Sequence, residues 1–412
     1  MKRPPLAQGV LPNGLRWVHQ QVPSPTGHVA LILDAGSRDE PGIDKEGLAH
    51  FIEHMMFKGT KRRKSFHVLS RLESVGGELN AFTGKEQTTI YGSFLRSDYS
   101  RAMELLFDVV TNATYPKKHI ALEQDVVLDE IDAYRDQPAE MIFDGFDHLI
   151  YPDHPLGRNI LGRPETVKGF TRDDIMAFAQ MMYHPERAVL SSVGGISAKR
   201  FAMLAEKFAA EWSGVGTRPD RREVNGFTPT QHTESRAISQ SHVILGGRGL
   251  PVDHDDWPTL TLINNMLGGP ALNSRLNLNI REKHGIAYHI ESFTHAYSDT
   301  GMWGIYAGTD SSQMDKCIRL IHKELKSLKD KPLGTIQLSR AKTQLLGQIA
   351  LAQESYTALM NAQGKSLLLL DRVETYKELC DQVNQIQATD LQGMAQELFR
   401  PDQISQLLYN PS

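Results

Sequence analysis

Midway along its 412 residues the chain breaks off one pattern of elements and then begins it again. Residues 213–236 carry Gly214, Gly216, Pro219, Gly226 and Pro229 among polar side chains, with no apolar periodicity, which marks a linker. Before it, strand and helix signals alternate. Apolar, partly β-branched runs predict strands at 28–34, 88–95 and 187–193. Helical periodicity covers 65–74, 98–112, 119–135, 138–150 and 198–212. After the linker, 241–247 resembles the opening strand, 256–267 reads as a helix, 286–309 as a hairpin, and helices fill most of 313–400. Such a recurrence points to an α+β fold of two homologous domains, each a mostly antiparallel sheet packed with helices. The expected division is 1–212, a linker 213–236, and 237–412.

Composition excludes several functions. Hydrophobic content of 40% and charged content of 23% are those of an ordinary globular chain, long enough for two cores. A formal net charge of −4 offers no basic field for nucleic acid. The one basic run, Lys58 to Lys64, reads as a solvated loop. No stretch approaches the roughly 18 apolar residues that span a bilayer, and residues 1–10 lack the apolar core of a signal peptide. Cys317 and Cys380 stand alone, too few for a disulfide framework, so a cytoplasmic location is expected.

Chemistry enters at His50-Phe-Ile-Glu-His54. On a helix, residues advance about 100° each, so His50 and His54 share a face one turn apart and can grip one zinc ion. Glu53 lies about 60° from His50, near enough to act on water beside the metal without ligating it. This is the inverted zinc-protease motif. A chain of this composition would show about 0.07 such patterns by chance. The matching helix of the second half reads Thr261-Leu-Ile-Asn-Asn-Met266, with neither His nor Glu in place of the motif, so the metal chemistry belongs to one half.

Two histidines leave a catalytic zinc one protein ligand short. The helix around 123–130 offers Glu123, Asp125, Asp129 and Glu130, and spacing alone does not choose among them. A resemblance does. Leu11-Pro-Asn-Gly-Leu-Arg16, Ala35-Gly-Ser-Arg-Asp-Glu40, the segment 47–60, Ser74-Val-Gly-Gly-Glu-Leu-Asn-Ala-Phe-Thr83, His154-Pro-Leu-Gly157 and Arg281-Glu-Lys-His-Gly-Ile-Ala-Tyr288 follow one another as they do in the pitrilysin family of zinc peptidases, which includes insulin-degrading enzyme and the mitochondrial processing peptidase. The resemblance implies one Zn²⁺ per chain on His50, His54 and Glu130, with Glu123 supporting the site and Glu53 as the proton acceptor. It implies that Arg281 and Tyr288 contact substrate and steady the oxyanion. It also implies that Asn80, Ala81 and Phe82 lie on an edge strand pairing with an extended peptide, although Phe82 would serve equally well as a core residue.

Members of that family enclose a chamber with four such domains. A chain with two therefore implies a homodimer, closing like a clamshell, with peptide as substrate and neither nucleic acid nor membrane as partner. The alternative within the same fold is a non-catalytic structural or peptide-binding subunit.

Overall fold

The computed structural model describes residues 6–214 and 220–412; residues 215–219, inside the expected linker, and 1–5 lie outside the described residues. The chain forms two compact units. These are not the contiguous halves expected from the sequence. Unit 1 comprises Met1–Asp132, Arg158–Arg221 and Leu351–Glu374, and unit 2 comprises Ala133–Gly157, Arg222–Ala350 and Thr375–Ser412.

Unit 1 is built on six strands: β1 Ala7–Val10, β2 Arg16–Gln21, β3 Thr26–Leu33, β4 Glu78–Thr83, β5 Thr88–Leu95 and β6 Ala188–Gly194. They lie in the order β1-β2-β6-β3-β5-β4, with only β2 and β6 parallel. Its helices are α1 Leu48–Met56, α2 Ser65–Glu73, α3 Tyr99–Asn112 and α4 Lys117–Arg135. The chain then makes α5 Pro138–Ile150, which belongs to unit 2, before returning with α6 Pro164–Lys168, α7 Arg172–Met182 and α8 Ala198–Ala209.

Unit 2 has five strands: β7 Gln231–Arg236, β8 Ser241–Gly249, β9 Ala287–Ala296, β10 Gly301–Thr309 and β11 Ser405–Pro411, in the order β7-β11-β8-β10-β9. Only β7 and β11 are parallel. Its helices are α9 Trp257–Gly268, α10 Ser311–Asp330, α11 Thr335–Ala352, α13 Tyr376–Gln385 and α14 Ala388–Leu398; α12 Tyr356–Leu370, between α11 and α13, joins unit 1. Strands β2 to β6 and β7 to β11 thus repeat one order and one set of directions, which is the duplication read from sequence. Strand β7 lies within the expected linker. Its side chains are exposed or half-buried and its backbone pairs with β11, so an edge strand forms there without an apolar pattern.

The continuous apolar run of β3 has a simple cause: both faces of the sheet are covered. Val29, Leu31 and Leu33 meet α1, α3, α7 and α8, in a core that includes Phe51, Ile52, Leu105 and Phe178. Ala30 and Ile32 point the other way and pack with Val18, Val189 and Val193 under Met360 and Leu367 of α12. In unit 2, α5 plays the same part, seating Ile142, Phe146 and Ile150 on Ile244, Tyr306 and Leu407. No helix among the described residues is long and apolar enough to cross a membrane.

Candidate metal centre

Helix α1 is held in place at its N-terminus. Gly47 caps it at φ +92, where a Cβ would lie 2.6 Å from the Leu161 carbonyl oxygen and 2.7 Å from Gly162 Cα, so only glycine fits. The buried Glu40 carboxylate accepts from the amides of Gly47 (3.1 Å) and Ala49 (3.0 Å), satisfying donors that the first turn leaves free. Phe51, Ile52, Met55 and Met56 anchor the opposite face. His50, Glu53 and His54 are therefore displayed from a fixed helix.

Helix α4 answers with two glutamates two turns apart, Glu123 buried and Glu130 exposed like its neighbours Asp125 and Asp129. Glu130 Oε2 lies 3.8 Å from His50 Nε2 and 3.6 Å from His54 Nε2. One donor atom from each of the three falls within 4.8 Å of the others. Tetrahedral bonds of 2.0–2.1 Å would space zinc ligands about 3.3 Å apart. Two imidazole nitrogens and a carboxylate oxygen suit that ion, and its fourth position would be free for water.

The protonation states also fit. Glu123 is buried, and its Oε1 lies 2.9 Å from His54 Nδ1 while its Oε2 lies 2.6 Å from Lys58 Nζ. Burial alone would raise the Glu123 pKa, but these two donors outweigh it and hold the carboxyl below its usual range. An ionised Glu123 can only accept, so Nδ1 donates to it and Nε2 is the His54 nitrogen that faces Glu130. Burial, with His54 adding to it, pushes His50 down to about 3, so the His50 imidazole is neutral. The two rings stand edge to face, 4.6 Å apart.

Glu53 is partly buried, and burial raises its pKa against the opposing hydrogen bond that Thr83 Oγ1 donates to its Oε2 at 2.5 Å. Thr83 closes β4, the last strand of its sheet, so the carboxylate is tied to a strand edge. On β4, Leu79 and Ala81 turn toward the core while Asn80 and Phe82 are exposed. Phe82 is 41% exposed and rests against the Tyr91 ring, so it is not a core residue.

In unit 2, Tyr288 near the start of β9 is 56% exposed and donates to Asp310 Oδ2 at 3.0 Å, rather than packing on the sheet. Arg281 sits in a π-helical turn, Asn277–Glu282, and lines a concavity of about 320 Å³ with Thr261, Asn264 and Asn265. Sequence reasoning missed Thr83 and Lys58. It also took the basic run as solvated, which holds for the exposed Lys61, Arg62 and Lys64, whereas Lys58 meets Glu123 and Arg63 meets Glu104 and the buried Asp108.

Comparison with known proteins agrees on one family. The family model described as Insulinase (Peptidase family M16) matches residues 17–164, and that of the Peptidase M16 inactive domain matches 169–345. A protein of Bacillus subtilis named as an uncharacterized zinc protease is 33% identical over 95% of this chain and 95% of its own. A protein of the same description from Streptomyces coelicolor is 32% identical over 94% of this chain and 86% of its own. Among solved structures, a peptidase M16 inactive domain from Pseudomonas fluorescens superposes with a TM-score of 0.91 at 17% identity, covering 99% of this chain and 98% of that one. A Helicobacter pylori protease superposes at 0.89 with 21% identity, covering 99% and 100%. The inverted motif on α1, the duplicated sheets and a relative matched over nearly its whole length converge: this chain is a member of peptidase family M16, the insulinase family.

Proposed function

We propose that the chain is a zinc metalloendopeptidase that hydrolyses peptide bonds of oligopeptides or short unfolded polypeptides. The observation that carries this reading is the convergence of His50, His54 and Glu130 within 4.8 Å, with Glu53 on the same helix. Those three residues would hold one Zn²⁺ per chain. The ion, when bound, supplies Lewis acidity that makes water a nucleophile near neutral pH and polarises a carbonyl. Glu53 takes the proton of the attacking water on Oε1, since Thr83 occupies Oε2, and returns it to the leaving amine. Glu123 keeps His54 in the tautomer that presents Nε2.

The free edge of β4 supports docking of an extended peptide by strand addition, with Asn80, Ala81 and Phe82 as the pairing segment. Main-chain pairing gives affinity with little sequence preference, and it would deliver the peptide beside Thr83 and Glu53. Arg281 and the exposed Tyr288 hydroxyl are the proposed oxyanion and substrate contacts. With two homologous units per chain, the active form is proposed to be a homodimer enclosing a chamber, in which these two residues of one subunit complete the metal site of the other. Cys317 and Cys380 are free thiols, which fits a cytoplasmic setting.

The test is zinc content together with cleavage of a mixed peptide library. Glu53→Gln should retain the metal and lose about 10²–10⁴-fold in rate. Zinc-loaded wild type that cuts nothing across varied peptide lengths would leave a non-catalytic peptide-binding or structural role. For the dimer, mixing Glu53→Gln with Tyr288→Phe chains should restore activity through hybrids with one intact site. No recovery on mixing would refute the shared site.

A further inference from the structure

The residues that follow α1 run Lys58-Gly-Thr-Lys-Arg-Arg-Lys64, and three of these cations have separate tasks. Arg63 binds Glu104 and Asp108, and Arg62 binds Glu211, all away from the metal centre. Lys58 differs. It stands one helical turn beyond His54, just past the Phe57 cap of α1, and its ammonium lies 2.6 Å from Glu123 Oε2. The other oxygen of the same carboxylate is the one 2.9 Å from His54 Nδ1.

We propose that Lys58 is a positioning residue of the metal centre: by holding the far oxygen of Glu123 it fixes the carboxylate that orients the His54 ring. This rests on the reading of His50, His54 and Glu130 as zinc ligands. The Glu123 side chain is only 6% exposed, so bulk water does not substitute for a lost partner on Oε2. With both oxygens engaged, the carboxylate has one rotamer, and His54 Nδ1–H one direction in which to donate. Without the ammonium, Oε2 is left desolvated and unpaired, which costs about 1–3 kcal/mol and more for a charged group. Glu123 relieves that cost by rotating, and the His54 ring loses its fixed orientation. Partners beyond the ligands of a metal site change affinity by about 10–100-fold, and that is the effect expected of Lys58. A lysine that served only to close α1, through its charge at the helix C-terminus, would change stability and leave metal affinity alone.

A double-mutant cycle separates these roles. Wild type, Lys58→Met, Glu123→Gln and the double variant are stripped of metal and their zinc dissociation constants measured by competition with a chromophoric chelator. The visible spectrum of the Co²⁺-loaded forms reports ligand geometry. Lys58→Met is expected to weaken zinc about 10–100-fold and shift the Co²⁺ bands. In the Glu123→Gln background the same substitution should change affinity by less than about twofold, because it acts through Glu123. Lys58→Gln serves the same comparison if the methionine variant does not fold. Unchanged affinity, or an equal loss in both backgrounds, overturns the proposal. Wild type that takes up no zinc overturns the metal reading with it, whereas wild type that binds zinc tightly and is indifferent to Lys58 overturns this inference alone.

Discussion

Cutting the chain after Arg221 tests the interleaving of the two units. A fragment ending there contains every strand of unit 1, and all of His50, Glu53, His54, Glu123 and Glu130, but it lacks α12. That helix covers one face of the β2-β6-β3 sheet with Leu359, Met360, Leu367 and Leu368, each no more than 8% exposed. Burying such side chains contributes about 1.5–3 kcal/mol each, so their loss removes about 6–12 kcal/mol as an upper estimate. Domains are stable by only about 5–15 kcal/mol in total. The same fragment carries α5 without the sheet on which Ile142, Phe146 and Ile150 pack. Fragment 1–221 alone should therefore show no cooperative thermal transition by circular dichroism and should aggregate on gel filtration. Co-expressed with 222–412, which returns α12 and receives α5, it should recover a single transition. Should fragment 1–221 unfold cooperatively within a few degrees of the full chain, the packing of α12 would not be what stabilises unit 1.

Three smaller perturbations follow from the same physics. A Cβ on Gly364 of α12 would lie 2.3 Å from Ile32 Cδ1 and 2.8 Å from Ser191 Cβ, so Gly364→Val should cost about 1–3 kcal/mol in a urea titration of the metal-free protein. An unchanged midpoint would mean that α12 sits farther from the sheet. Arg221 binds Asp34, Asp39 and Glu86 with a side chain 8% exposed, and Arg221→Ala should cost about 3–5 kcal/mol by removing the cation these three carboxylates share; a loss below about 1 kcal/mol would refute it. His19, His242 and, in metal-free protein, His50 have pKa values lowered by burial. The unfolded chain then binds protons first, so their stabilisation is complete above an unfolded pKa near about 6.5 and is lost as pH falls toward each folded value. Each contributes a slope of up to about 1.4 kcal/mol per pH unit, and urea midpoints at pH 7 that do not exceed those at pH 5.5 would contradict this.

What the sequence reveals and hides follows from how far each signal reaches along the chain. His50, Glu53 and His54 are legible because one helical turn relates them and the pattern is rare. Glu130 is not singled out by spacing, since Asp125 and Asp129 lie on the same helix and all three are exposed; only the fold brings Glu130, at 3.8 and 3.6 Å, up to the two imidazoles. Lys58 is hidden for the opposite reason: it looks like the first charge of a solvated run, and only the fold shows a buried carboxylate waiting for it. The amphipathic patterns of α5 and α12 show that each buries a face, but an apolar stripe carries no address, so their exchange between units is invisible. Strand β7 escapes notice because an edge strand paired through its backbone needs no apolar alternation.

The duplicated half shows that the fold itself does not require the metal residues. In α1, Phe51-Ile52 and Met55-Met56 are buried and His50, Glu53 and His54 occupy the intervening face. In α9, Leu262-Ile263 are buried in the same phase, and Thr261, Asn264 and Asn265 fall at the same offsets as the motif. These three line the concavity that also holds Arg281. Both helices follow the second strand of the same five-strand order and pack on its sheet, yet one presents two imidazoles and a carboxylate and the other a hydroxyl and two amides. The packing face carries the fold, while the three offsets i, i+3 and i+4 are free to vary. If His50, Glu53 and His54 serve the proposed metal chemistry and not the fold, their replacement by Thr, Asn and Asn should remove zinc while leaving the unit folded.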